Sequence, residues 1–241
     1  MKRIALITGA SGGIGSAVAR AFAARGYALG LQYRNNRDAL EKTVGDFPSD
    51  AVYALLPCDL TDAKETSNLV QAVRMRLGTP SVLVHCAGIA LPQGLFSDTT
   101  DEAYDKVFDL NVRGTMRLTR LLLGDLRKTR GSIVTISSIW GVTGGSCEAV
   151  YSASKAAVIG FTKALAKEMA PSGVTVNCVA PGYMPTEMNA HLSPEDVERI
   201  RHDTPLGRLG SVTDAAEAIC YLAEARFVTG QVLCVDGGIT I

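Results

Sequence analysis

Several things are missing from this sequence, and each absence excludes something. There is no surplus of either charge sign, with 24 Lys and Arg against 24 Asp and Glu. Nucleic-acid binding needs a basic excess to displace counterions, so no nucleic-acid partner is expected. No polybasic patch for a membrane surface stands out either. No apolar run approaches the ~18 residues of a membrane span. The opening Met1-Lys2-Arg3-Ile4 begins like a secretion signal, but the apolar run stops at Ile7 and turns into glycines. A cytoplasmic protein is expected. The six cysteines are scattered, without a C-x-x-C pair or a neighbouring histidine cluster. No metal site is predicted; they read as small hydrophobes in a reducing compartment. Linkers, low-complexity tracts and short repeats are absent, and tryptophan occurs once, at Trp140.

What is present is an alternation of short apolar runs and helical segments along all 241 residues. Strands are predicted at 4–8, 28–33, 52–58, 82–86, 132–137, 174–180 and 231–235. Helices are predicted over 14–25, 37–47, 63–77, 101–128, 151–169 and 212–223, with a small one after Ser193-Pro194-Glu195. The strands are continuously apolar, as parallel strands buried on both faces are. The pattern predicts a single α/β domain over 1–241, doubly wound (Rossmann), with a seven-stranded parallel sheet. The polar, proline-punctuated stretch 183–207 reads as a lid over a site.

The first strand runs into Thr8-Gly9-Ala10-Ser11-Gly12-Gly13-Ile14-Gly15, which opens the first helix. Glycines let the backbone turn tightly and approach a pyrophosphate, and the helix N-terminus supplies N–H donors and a positive dipole end. A site for NAD would place an acid near the end of the second strand. That end is Tyr33-Arg34-Asn35, and no Asp or Glu lies between Gly15 and Asp38. The planar fork of Arg34 suits a 2′-phosphate, so NADP(H) is predicted over NAD(H). Asp59, after the third strand, either accepts from the adenine amino group or caps the helix that follows.

Tyr151 and Lys155 stand at i and i+4 of one predicted helix, with Cβ atoms roughly 5–6 Å apart. An ammonium beside a tyrosine hydroxyl lowers its pKa from about 10, and the pair can then move a proton at a carbonyl or alcohol oxygen. Ser138, at the end of the fifth strand, can hydrogen-bond the same oxygen. The alternative is a tyrosine near a helix start and a lysine on a solvated face.

These residues resemble the short-chain dehydrogenase/reductases over nearly the whole chain. Thr8, Gly9, Gly13 and Gly15 match that family's Thr-Gly-x-x-x-Gly-x-Gly. Tyr151 and Lys155 match its Tyr-x-x-x-Lys, Ser138 its serine, Asn111 its helix asparagine, and Pro181, Gly182 and Thr186 its Pro-Gly-x-x-x-Thr. The resemblance implies that Ser138 polarises a carbonyl, that Tyr151 is the general acid/base, and that Lys155 lowers its pKa and holds the nicotinamide ribose. It implies that Asn111 positions a relay water. It also implies cofactor contacts from Gly9, Ser11, Gly13, Ile14 and Gly15, from Tyr33, Arg34 and Asn35, and from Asp59 and Leu60. Cys86, Ala87 and Gly88, Asn111, Tyr151 and Lys155, and Pro181, Gly182, Met184 and Thr186 complete that set. One departure is His85-Cys86-Ala87-Gly88, where the family has Asn-Asn-Ala-Gly. The missing amide puts the local tie between strands in doubt, and His85 reads as a core histidine.

Within the family, Arg208–Gly210, Thr229–Gln231 and Asp236–Gly238 resemble 3-oxoacyl-acyl-carrier-protein reductases. The two positions matched to their carrier-binding arginines hold Thr129 and Ser172, with Lys128 and Arg130 beside the first. The stretch from Trp140 to Glu148 resembles the elongation factor P 5-aminopentanone reductases. A carboxylate there has no use to an acyl chain but would suit an ammonium, with Trp140 offering a π face. Trp140, Glu148 and Tyr183 are the substrate candidates. The alternatives for the first two are a solvated or helix-capping Glu148 and a Trp140 that fills a subunit interface. The resemblance also implies a homo-oligomer, a dimer or tetramer, acting on a ketone that can be carried on a protein. A non-catalytic dinucleotide sensor on the same fold is the competing class. A sugar-nucleotide epimerase would need a longer substrate domain.

Overall fold

The computed structural model describes residues 2–241. Its strands are β1 (Ile4–Thr8), β2 (Ala28–Tyr33), β3 (Tyr53–Pro57), β4 (Val82–His85), β5 (Ser132–Ile136), β6 (Thr175–Pro181) and β7 (Val232–Val235). They form one sheet in the order β3-β2-β1-β4-β5-β6-β7, and every neighbouring pair is parallel. The fold class is therefore the expected one. Alternating residues on each strand face opposite layers. Ala5 and Ile7 join Leu29, Val84 and Val134 in a core closed by α1 (Gly13–Ala24), α2 (Arg37–Gly45) and α9 (Val212–Glu224). Leu6 joins Leu83, Ile133 and Val176 in the opposite core, under α3 (Ala63–Arg76), α5 (Thr115–Thr129) and α7 (Ala149–Met169).

The chain winds outward from β1 in one direction and from β4 in the other, so these two adjacent strands diverge in connectivity. A crevice opens at their carboxyl ends, where doubly wound folds bind ligands. Thr8 and His85 are the paired residues at that edge.

Two regions differ from the sequence expectation. The helix predicted over 101–128 is α4 (Asp101–Phe108) and α5, joined by a π-helical turn over Asp109–Gly114. Asn111 lies in that turn with its side chain buried. π-Turns often coincide with functional positions. A short helix, α6 (Ile139–Thr143), follows Ser138, whose hydroxyl accepts a bond from the Trp140 amide at 3.2 Å and caps it. The stretch 183–207 holds a single 3₁₀ turn (Glu187–Asn189) and α8 (Pro194–Asp203). A capping box between Ser193 and Asp196 starts that helix. Among the described residues no helix is long and apolar enough to cross a membrane. All six cysteines are unpaired.

Candidate active site

The glycine loop leaves β1 at Thr8 and turns at Gly9, which has φ +60°. A Cβ on Gly9 would lie 2.7 Å from the Ala87 backbone, and one on Gly15 would run into the Gly9 carbonyl oxygen. The loop can therefore take this path only with glycine at both positions. It is tied down by Gln32, a residue the sequence reading did not single out. Its side-chain oxygen accepts from the Gly9 amide at 2.8 Å, and its amide donates to the Cys58 carbonyl at 2.7 Å. A glutamine within the apolar strand Ala-Leu-Gly-Leu-Gln-Tyr is the signal that could have marked it. Helix α1 opens at Gly13 with no side chain capping its first turn. That leaves a donor-lined N-terminus suited to a phosphate.

At the ends of β2 and β3, the cofactor candidates separate. Tyr33 is buried in the core beneath α1 and α2, so its ring is a packing group and not an open contact. Arg34 is exposed and forms an ion pair with Asp59, Nε to Oδ2, at 3.1 Å. Asp59 does not cap α3. Asp62 does, accepting from the Glu65 amide at 2.8 Å. Leu60 is buried, and its carbonyl accepts from Arg117 at 3.1 Å. Arg34, Asn35 and Asp59 line one open cavity with Asn68 and Arg76. At the other side of the crevice, Thr186 rests on the loop, since a Cβ on Gly13 would lie 2.6 Å from its methyl carbon. Met184 is buried against Gly210. A helix start with free donors and an arginine lining the open cavity at the end of β2 fit a phosphorylated dinucleotide.

Ser138, Tyr151, Lys155 and Asn111 converge at the carboxyl ends of β4 and β5. Ser138 lies near enough to the Tyr151 hydroxyl to favour its ionised form. Lys155 is buried; its Nζ donates to the Ile136 carbonyl at 3.0 Å and stands 5.6 Å from the Tyr151 ring centroid. A Cβ on Gly88 would lie 3.2 Å from that Nζ and 3.3 Å from Asn111 Oδ1, so glycine keeps this space open. Asn111 donates to the Ile89 carbonyl at 2.9 Å and to Ser154 Oγ at 3.1 Å, and accepts from the Ile89 amide at 2.9 Å. Both amide hydrogens of Asn111 are thus engaged. Ser154, unmarked by any sequence pattern, joins Asn111 to the Tyr151 carbonyl, which its hydroxyl reaches at 2.7 Å.

Burial dominates the electrostatics of Tyr151 and Lys155. Burial pushes the Tyr151 hydroxyl up to about 12, against the opposing pull of Ser138. Burial likewise pulls the Lys155 ammonium down to about 8. Each group leaves water for a largely apolar pocket, which disfavours its charged form. In this state Tyr151 holds its proton firmly at neutral pH and is an acid ready to donate. His85 is buried, reaches Thr119 Oγ1 at 2.8 Å, and is held neutral by burial that pulls its pKa to about 3. It replaces the missing asparagine amide with a tie to α5, as a core histidine does.

In front of Tyr151 lies a cavity of about 200 Å³ lined by Leu91, Pro92, Phe96, Cys147, Glu148 and Val150, among others. Its far wall, residues 91–100, holds only a 3₁₀ turn (Phe96–Asp98) and carried no sequence signal. Glu148 precedes α7 but makes no capping bond. Glu148 is one of the residues that line this cavity, and its carboxylate accepts from Gln93 Nε2 at 3.5 Å. Burial raises its pKa, while Gln93 and the nearby His191 pull the other way. Trp140 does not line the cavity. It lies over Gly145, where an added Cβ would be 2.9 Å from Trp140 Cδ2 and 3.2 Å from Glu148 Cβ. The two substrate candidates thus flank one glycine. Tyr183 is half-buried outside the cavity, beside Gly210.

Comparison with known proteins agrees with this geometry. Residues 9–240 match a family model described as enoyl-(acyl carrier protein) reductase. The chain is 41% identical over 249 residues to the uncharacterized oxidoreductase YmfI of Bacillus subtilis, covering 99% of both. It is 38% identical to the 3-oxoacyl-[acyl-carrier-protein] reductase of Bos taurus, covering 100% of this chain and 99% of the relative. Among solved structures it resembles ElxO with NADP bound, with a TM-score of 0.90 and 32% identity over 99% of each chain. A tyrosine-to-phenylalanine variant of ElxO with NADPH bound is equally close, at TM-score 0.90 and 33% identity over 99% of each. With its glycine loop, its Tyr151–Lys155 helix and its parallel sheet now matched along their full length, the chain belongs to the short-chain dehydrogenase/reductase family of oxidoreductases.

Proposed function

We propose that this protein is an NADPH-dependent ketone reductase whose substrate carries an amine, with the 5-aminopentanone group of elongation factor P as the leading candidate. NADP(H) is the cofactor of this reading, as in the ElxO structures; when bound, it supplies the hydride. The amides at the start of α1 take its pyrophosphate, and Arg34 takes the 2′-phosphate. Ser138 hydrogen-bonds the ketone oxygen and fixes it beside Tyr151. Tyr151 then gives its proton to that oxygen as negative charge develops, and its high pKa keeps the proton in place until then. Lys155 holds the nicotinamide ribose, and its ammonium steadies the phenolate left behind. Because the Asn111 amide hydrogens are both engaged, a relay water here is held by that residue's remaining oxygen acceptors. Segment 183–207 acts as the lid, with Thr186 against Gly13 as its inner contact. A homo-oligomer belongs to the same reading: Phe227, Leu233 and Ile241 leave apolar surface near β7 for a second copy to cover.

The observation that carries the substrate is Glu148. It lines, together with Asp98, Thr99 and Thr100, a mostly apolar cavity that ends at Tyr151. An ammonium there would be paired; an acyl chain would leave the charge alone in a partly dry site. The test compares turnover of aminopentanone-bearing elongation factor with that of an acetoacetyl thioester. The wild type is expected to favour the amine, and Glu148→Gln to lose about tenfold of that preference, a charge-assisted contact of about 1–2 kcal/mol. An unchanged preference would refute amine recognition. Tyr151→Phe should lower turnover about 10²–10⁴-fold while still binding NADPH; tight binding with no wild-type turnover on any ketone would instead indicate a sensor. One observation favours reduction of 3-oxoacyl groups on a carrier protein. Arg130 closes α5 in a left-handed conformation and lies along Gly173, beside Ser172. One cation therefore stands close to both positions at which the carrier-binding arginines are absent.

A further inference from the structure

Arg34 and Asp59 close the ends of two adjacent strands, and the details of their pairing are informative. The Asp59 carboxylate is fixed on one side by Thr61. Its Oδ1 accepts from the Thr61 amide at 2.9 Å and the Thr61 hydroxyl at 2.7 Å. The Asp59 amide donates to Glu65 Oε2 at 2.6 Å, which anchors the residue to α3. The other oxygen, Oδ2, faces Arg34 Nε at 3.1 Å. Among the described residues, neither terminal nitrogen of Arg34 has a hydrogen-bond acceptor. Arg34 is thus held by an ion pair through Nε, and both residues line the open cavity.

We propose that Asp59 is a positioning residue for cofactor selectivity: it holds Arg34 by Nε and so aims the free guanidinium edge at the 2′-phosphate. The inference rests on the NADP(H) reading above and adds a residue to it. A free arginine side chain at a site this exposed samples many rotamers, and ordering it would oppose phosphate binding. An arginine already ordered by a fixed partner loses less on binding. Asp59 also carries a negative charge that repels the phosphate, but the pair stands in water, where that repulsion is screened. Orientation should outweigh it. Partial burial raises the Asp59 pKa, but the Thr61 bonds and Arg34 together outweigh it and hold it below the usual carboxylate range.

The test is the ratio of the dissociation constants of NADH and NADPH, measured by nucleotide fluorescence, with 2′,5′-ADP and 5′-AMP as probes of the adenosine half alone. Any contact of Asp59 with the adenine affects both nucleotides and divides out. Asp59→Asn is expected to lower the ratio about five- to tenfold. Thr61→Val, which loosens the carboxylate without removing it, is expected to lower it in the same direction by less. In an Arg34→Gln background, Asp59→Asn should leave the ratio unchanged. A ratio that rises in Asp59→Asn would mean that the acid only neutralises Arg34, and would overturn the proposal. So would an unchanged ratio. If the wild type shows no preference for NADPH and Arg34→Gln changes nothing, the NADP(H) reading itself fails, which is a separate and recognisable result.

Discussion

Burying Lys155 should cost the fold more stability than the lysine returns, and this can be measured. Its ammonium is buried, and its pKa falls from the ordinary 10.5 to about 8. At about 1.4 kcal/mol per pH unit, that gap corresponds to about 3 kcal/mol against folding at pH 7. Lys155→Met keeps the length of the side chain and removes the charge. It also frees the Ile136 carbonyl that Nζ contacts at 3.0 Å, a loss of about 1–2 kcal/mol. The variant should therefore be about 1–2 kcal/mol more stable than wild type at pH 7, in the absence of cofactor. The sign of the pH dependence follows from proton counts. Between pH 8 and 10.5 the unfolded lysine is protonated and the folded one is not, so wild-type stability gains from Lys155 as pH rises. The full penalty is present below about pH 8. By pH 9 the advantage of the variant should shrink by about 1 kcal/mol, and comparison at equal pH removes the titration of tyrosines and cysteines. Urea unfolding at pH 7 and pH 9 reads both numbers, and NADPH oxidation should be lost. A variant less stable than wild type at pH 7, or an advantage unchanged at pH 9, would refute the reasoning.

Two further outcomes concern packing. Gly15→Ala would drive a Cβ into the Gly9 carbonyl and should cost about 2–4 kcal/mol and more than tenfold in NADPH affinity. Gly26→Ala is the control: φ is +75° but nothing lies within 4 Å, so a loss of about 1 kcal/mol without any change in NADPH binding is expected. Thr175 Oγ1 is the buried side-chain polar atom without a partner among the described residues. Thr175→Val should therefore be neutral or stabilising by up to about 1 kcal/mol in a thermal melt, and a clear loss would show that this hydroxyl is satisfied in solution.

The elements that were legible in advance share a cause. Short apolar runs between helical segments can satisfy their burial only as parallel strands covered on both faces, so the seven strands follow from local pattern. The glycines at 9, 13 and 15 and the i, i+4 spacing of Tyr151 and Lys155 are likewise local. The π-turn at Asn111 was invisible because its anchors, Ile89 and Ser154, are distant in sequence. Helix α6 was hidden in a glycine-rich stretch that reads as loop. Gln32 left a trace, a polar residue in an apolar strand, but its partners Gly9 and Cys58 lie on two other segments.

The sequence by itself determined the α/β class, the phosphate loop and the identities of the proton-transfer candidates, because periodicity, glycine content and residue spacing act over a few residues. The tertiary structure alone decided the environment of those groups. Burial, which depends on every segment packed around Tyr151 and Lys155, raises the tyrosine pKa and lowers that of the lysine. The same packing turned Tyr33 into the core and made Glu148 part of the wall of the cavity before Tyr151. Strand neighbours set Arg34 against Asp59. Zero net charge was legible from the start, but which few charges face the groove and the cavity is a matter of how distant segments meet.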